Sequence, residues 1–226
     1  MKSSTHSGFD LIIFDCDGVL VDSERVANQV FAEILKEICG LEFSLADMFD
    51  HFVGHSQAQC MKTVERLTGR PAPAELAERY QQEINQALIN SVEAVAGIEQ
   101  ALEQIEIPYC VASSGSYEKM ELTLGKTNLL RFFGDNIFST SDVDRGKPFP
   151  DIYLHAAQAM GGCAPKLCLV IEDSPIGVTG AVAAEMTVFG FADLMPAQKL
   201  IAAGAHHIFK QMSQLPSLTV SASALI

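Results

Sequence analysis

The sequence predicts an α/β protein, a doubly wound parallel sheet with an inserted helical-bundle cap domain. Three observations lead there. Asp10-Leu11-Ile12-Ile13-Phe14-Asp15 is a continuous apolar run closed by a carboxylate, the pattern of a strand buried on both faces. Residues 23–92 then read as helix alone, with Gly and Pro connectors. From about residue 97, strands and helices alternate, which implies right-handed crossovers and a parallel sheet covered on both sides. The helical stretch offers the first strand no partner, so that strand joins the later sheet. The expected organisation is a core of 1–22 and 93–226 with a cap at 23–92.

Each element has its own signal. Val26, Val30, Phe31, Ile34, Leu35 and Ile38 form one helical stripe that stops at Gly40. Ser44 suits the cap of a second helix, with Asp47 favouring its positive end. Ser56 suits the cap of a third, which ends before Gly69. Pro73 starts a fourth, with Leu76, Tyr80, Ile84 and Leu88 on one face. In the core, residues 109–113, 137–139, 168–172 and 187–190 read as strands. The intervening helices lie near 98–106, 116–130, 151–161 and 176–185. The Ser/Ala-rich tail at 217–224 reads as frayed.

Composition narrows the function classes. The 226 residues carry 28 Asp plus Glu against 15 Lys plus Arg, a formal net charge of -13. So acidic a chain lacks the clustered basic surface that binds nucleic acid or anionic membranes. Its apolar runs fall well short of the ~20 residues that span a bilayer. No basic segment followed by an apolar one opens the chain. The expectation is a soluble, cytoplasmic monomer without nucleic-acid or membrane partners. The six cysteines lie in apolar stretches without a CxxC pair, as small core residues do in a reducing compartment. Cys60 to Arg66 has the spacing of a thiol phosphatase loop, but its bulky interior and helical periodicity mark an amphipathic helix.

In an open parallel sheet, ligands bind beyond the carboxyl ends of the strands. Those ends carry Asp15-Cys16-Asp17-Gly18, Ser113-Ser114-Gly115 and Glu172-Asp173-Ser174, with Gly146-Lys147-Pro148 between the third and fourth strands. Any one of these acids suits a turn or a helix cap. As a set on one rim, bare carboxylates repel and invite a hard divalent cation with oxygen ligands, such as Mg2+. A carboxylate beside that ion can attack phosphorus and form an acyl phosphate. Lys147 and Ser113 can bind the phosphoryl oxygens.

Asp15-Cys16-Asp17-Gly18-Val19-Leu20-Val21-Asp22-Ser23-Glu24 resembles the DxDGxLxDSE signature of the haloacid dehalogenase superfamily. Ser113, Lys147 in Gly-Lys-Pro-x-Pro-Asp, and Glu172-Asp173-Ser174 follow in that family's order. The chain is most similar to the β-phosphoglucomutase-like subgroup, in particular to its sugar-acid phosphate phosphatases. The resemblance implies a Rossmann-like core and a Mg2+-dependent phosphatase of small phosphorylated metabolites, such as 6-phosphogluconate. It implies Asp15 as nucleophile and Asp17 as general acid and then base. The metal would be held by Asp15, the Asp17 carbonyl and Asp173, with Glu172 behind them. Ser113, the Ser114 amide and Lys147 would hold the phosphate. A cis bond before Pro148, a tight turn at Gly18 and a cap that closes over substrate are also implied.

Three departures qualify the resemblance. Ala27 stands where the mutase of this subgroup has a histidine, and Gly54-His55-Ser56-Gln57 stands where it offers an arginine to a second phosphate. Both favour hydrolysis over the alternative, a phosphosugar mutase. Glu185 replaces the family's glycine after a helix, so either a non-glycine residue is left-handed there or the helix ends differently. A phosphoryl-receiver signalling module, the rival from another class, is about half this length and lacks a cap. Two further residues stay open. His55 could face the substrate from the cap loop or lie on the surface. Lys119 reads as a solvated helix residue or as a cation reaching an anionic substrate from the rim. Leu124-Gly125-Lys126-Thr127 lacks the first glycine of a P-loop.

Overall fold

The computed structural model describes residues 8–53 and 57–221. In chain order its elements are β1 (Leu11–Phe14), α1 (Ser23–Cys39), α2 (Leu45–Phe52), α3 (Gln57–Thr68), α4 (Glu75–Ser91) and α5 (Ile98–Gln104). Next come β2 (Tyr109–Ser113), α6 (Tyr117–Lys126), α7 (Leu130–Phe133), β3 (Ile137–Ser139), α8 (Asp151–Ala159) and β4 (Cys168–Glu172). The chain finishes with α9 (Pro175–Ala183), β5 (Thr187–Phe191), α10 (Ala197–Ala203), β6 (His207–Phe209) and α11 (Leu215–Ser221). Two compact units result, 1–21 with 94–226, and 22–93.

Among the described residues the larger unit holds one six-stranded sheet in the order β3-β2-β1-β4-β5-β6. Every neighbouring pair is parallel. β1 is central: Ile13 lies opposite Cys110 on one side and Val170 on the other. All of its side chains are buried, which is why its sequence does not alternate. Phe14 packs edge-on against Tyr109 and Phe133. Because β1, β2 and β4 are adjacent, their carboxyl ends bring Asp15, Ser113 and Glu172 to one rim.

The smaller unit contains α1 to α4. Val30, Phe31, Ile34, Leu35, Met48, Phe52, Val64 and Leu76 form its core, with Phe31 edge-on to Phe52 at 5.1 Å and to Tyr80 at 5.8 Å. Gly40 ends α1 in the left-handed region at φ 68°, its N–H bonded back to Lys36 O. Ser44 and Asp47 complete a reciprocal capping box on α2. Cys60 to Arg66 lies inside α3, as its periodicity predicts.

The structure corrects the sequence reading in several places. The helix expected at 116–130 breaks into α6 and α7 around Asn128, whose φ of 60° no helix accommodates. The strand β6 and the helix α10 were not expected. The fourth helix starts at Glu75, two residues beyond Pro73. Far from fraying at 217, the chain is helical to Ser221, with Leu215 and Thr219 buried; residues 222–224 lie outside the described residues. Of the two endings open at Glu185, the left-handed one holds, at φ 60°. Met186 N–H then bonds to Ala181 O at 3.2 Å, alongside Ala184 N–H on the same carbonyl.

Candidate active site

Asp15 immediately follows β1 and prolongs the ladder, its N–H donating to Ile171 O at 3.0 Å. The chain then turns within three residues. Gly18 adopts φ 77°, Gly18 N–H donates to Val21 O, and a Cβ on Gly18 would collide with the Asp173 carboxylate. Only glycine meets both demands, the left-handed backbone and the close approach.

Lys147 projects from the loop before α8, and the peptide bond that joins it to Pro148 is cis. Its side chain is 2% exposed, and Nζ donates to Asp15 Oδ1 at 2.6 Å and Glu172 Oε1 at 2.7 Å. Glu172 is wholly buried at the end of β4. Its Oε1 also accepts from the Tyr153 hydroxyl at 2.9 Å. Its Oε2 accepts from Ser174 N–H and Ser174 Oγ, each at 2.9 Å. Ser174 in turn caps α9 by accepting from Gly177 N–H at 3.1 Å. Glu172 therefore accepts four hydrogen bonds, as a buried charge must.

Burial, with the nearby Glu172 and Asp17 charges adding to it, pushes the Asp15 carboxyl up to about 7 against the opposing pull of Lys147. Burial alone would lower Lys147, but Asp15 and Glu172 outweigh it and hold the ammonium well above its usual range. The site thus keeps a permanent cation against a carboxyl that titrates near neutrality.

Ser113 ends β2, buried, with its Oγ accepting from Gly115 N–H at 3.0 Å. Ser139 at the end of β3 donates to Gly115 O at 2.8 Å and ties that turn to its neighbouring strand. Ser114 lies on the exposed part of the turn, its carbonyl accepting from Thr140 Oγ1 at 3.4 Å. Lys119, on the first turn of α6, donates from Nζ to Asp17 Oδ2 at 2.7 Å. That contact corrects the reading of Lys119 as a solvated helix residue. His55 and Ser56 lie outside the described residues.

A metal fits this donor set. Asp15, Glu172 and Asp173 each offer an oxygen within 4.8 Å of the others. Such hard, oxygen-only donors suit Mg2+. Glu172 is the least available of the three, because both its oxygens are committed to protein donors. Tyr153 is the residue that sequence reasoning missed. Its signal was a tyrosine on the buried stripe of α8, where a hydroxyl needs a partner.

The family described as haloacid dehalogenase-like hydrolase matches residues 9–185. The 6-phosphogluconate phosphatase of Escherichia coli (strain K12) is 34% identical over 94% of this chain and 95% of its own. A conserved haloacid dehalogenase-like protein of unknown function from Agrobacterium tumefaciens superposes with a TM-score of 0.88 at 37% identity, covering 96% of this chain and 99% of that one. A hydrolase of the same family from Deinococcus radiodurans R1, crystallised with bound phosphate and sodium, gives 0.86 at 29% identity, covering 96% and 98%.

Proposed function

We propose, from the premise that this chain belongs to the haloacid dehalogenase-like hydrolases, that it is a Mg2+-dependent phosphatase of small sugar or sugar-acid phosphates acting through an aspartyl phosphate. That it is a phosphatase rests on the family and on its similarity to a named phosphatase. The metal, the intermediate and the substrate class are the finer proposal. One observation carries it: a buried lysine bridges Asp15 to Glu172 beside Asp173, at the ends of adjacent parallel strands. Fold stability alone does not call for such a cluster, since the cost of desolvating buried charges offsets much or all of what their pairing returns.

In this reading Asp15 attacks phosphorus through one oxygen while Lys147 and Ser113 orient the phosphoryl group. Asp17 gives a proton to the leaving alcohol oxygen. It then takes one from the water that cleaves the Asp15–phosphoryl bond. Asp15, Asp173 and the Asp17 carbonyl would hold Mg2+, with Glu172 supporting them through Lys147. When bound, the ion supplies charge neutralisation at the phosphoryl oxygens. The similarity to a 6-phosphogluconate phosphatase supports a sugar-acid phosphate as the substrate. A screen of phosphorylated metabolites with Mg2+ tests the reading. Phosphate release concentrated on sugar and sugar-acid phosphates is expected, and isomer formation outpacing phosphate release would overturn it in favour of a mutase.

A further inference from the structure

Two aspartates two residues apart repel one another, and each has been given its own lysine. Lys147 is sealed and tied twice, to Asp15 and Glu172. Lys119 is different. Its side chain is 35% exposed, Asp17 is 23% exposed, and Nζ sits 2.7 Å from Asp17 Oδ2. The backbone N–H of Lys119 donates to the cap residue Ser116, so the side chain leaves from the first turn of α6. That is the positive end of the helix, where a cation is disfavoured. The helix itself therefore does not account for a lysine there; Asp17 does. Gly115 lies beside all three groups: a Cβ there would be 3.3 Å from Ser113 Oγ, 3.5 Å from Lys119 Cδ and 3.7 Å from Asp17 Oδ2.

We infer that Lys119 is a positioning residue for the second half-reaction. It holds the Asp17 carboxylate in the orientation from which it takes a proton from water. In that step the water oxygen bonds to phosphorus, the phosphorus–Asp15 oxygen bond breaks with its electron pair returning to the carboxylate, and the water proton passes to Asp17. The inference rests on the two-step reading proposed above.

The test is rapid mixing of saturating p-nitrophenyl phosphate and Mg2+ with wild type, Lys119→Met, Lys119→Arg and Asp17→Asn. The nitrophenolate leaving group needs no proton, so the first half-reaction should pass unhindered. Lys119→Met should release a burst larger than wild type, approaching one nitrophenolate per chain. Its steady turnover should then be slowed about 10–100-fold, a share of the ~10²–10⁴ that a positioned base supplies. Its kcat/KM, which reports only the first step, should stay within about threefold of wild type. Lys119→Arg, still able to donate to Asp17, should recover most of the turnover. A loss shared by kcat and kcat/KM, a loss without a burst, or no loss would each overturn the inference. Asp17→Asn separates the two levels. A burst in Asp17→Asn but none in Lys119→Met removes Lys119 from this role alone, whereas no burst in Asp17→Asn removes the base role of Asp17 and the inference with it.

Discussion

Gly177→Ala sets two effects of opposite sign against each other. Gly177 is a buried residue in the first turn of α9, and glycine within a helix ordinarily costs about 0.5–1 kcal/mol relative to alanine. On propensity alone the change should stabilise. A Cβ at Gly177, however, would collide with the Glu172 carboxylate, which is fully buried and accepts four hydrogen bonds. The carboxylate must leave its four donors, so Lys147 is left with Asp15 alone and the Tyr153 hydroxyl with Gly177 O alone. Breaking a buried ion pair by displacing one partner costs about 3–5 kcal/mol. The clash wins, and the net loss is about 2–4 kcal/mol, or a fall in Tm of about 5–15 °C for a chain of this size. Gly125→Ala is the control, since a Cβ at that exposed position meets nothing within 4 Å. Thermal and urea unfolding of both variants decide the matter. If Gly177→Ala were as stable as wild type, Glu172 would not be the fixed centre of the site.

The remaining predictions concern charge and metal. Asp15 holds a proton in the fold up to about pH 7, whereas its ordinary value is 3.8. Between those values the fold binds more protons than the unfolded chain, so stability of the metal-free protein should fall as pH rises across that window. Asp15→Asn should flatten the fall, as pH-dependent urea unfolding would reveal. Mg2+ at ~100 times its Kd should add about 2.7 kcal/mol, read as a rise in Tm, and Asp173→Asn should abolish most of it. Chelation with EDTA should stop phosphate release. Lys147→Met leaves Asp15 and Glu172 buried without their cation. Phosphate release should drop at least about 10²–10³-fold, with a stability loss of about 3–5 kcal/mol.

Much of this was legible in the sequence because it is local. The continuous burial of Leu11–Phe14 announces a central strand, and Ser44 with Asp47 announces a helix start. Asp15, Ser113, Glu172 and Asp173 could be grouped because a parallel sheet delivers strand ends to one rim, and Lys147 reaches Asp15 and Glu172 from the loop before α8. What escaped is set by tertiary contacts or by short elements. β6 is three residues long, with His207 and Ile208 only half-buried, so no apolar run marks it. The break at Asn128 needs a left-handed residue, which asparagine tolerates without advertising. Tyr153 joins the site only because α8 packs its buried face toward Glu172. The partner of Lys119 lies 102 residues away, beyond any local pattern.

The most direct test of the account is covalent. Asp17→Asn, supplied with Mg2+ and p-nitrophenyl phosphate, quenched in acid and mapped by mass spectrometry, should carry one phosphoryl group on the peptide containing Asp15. The label should be absent from the double variant that also replaces Asp15 by Asn. Phosphate on another residue, or turnover without any covalent phosphate, would contradict the assignment of Asp15 as nucleophile.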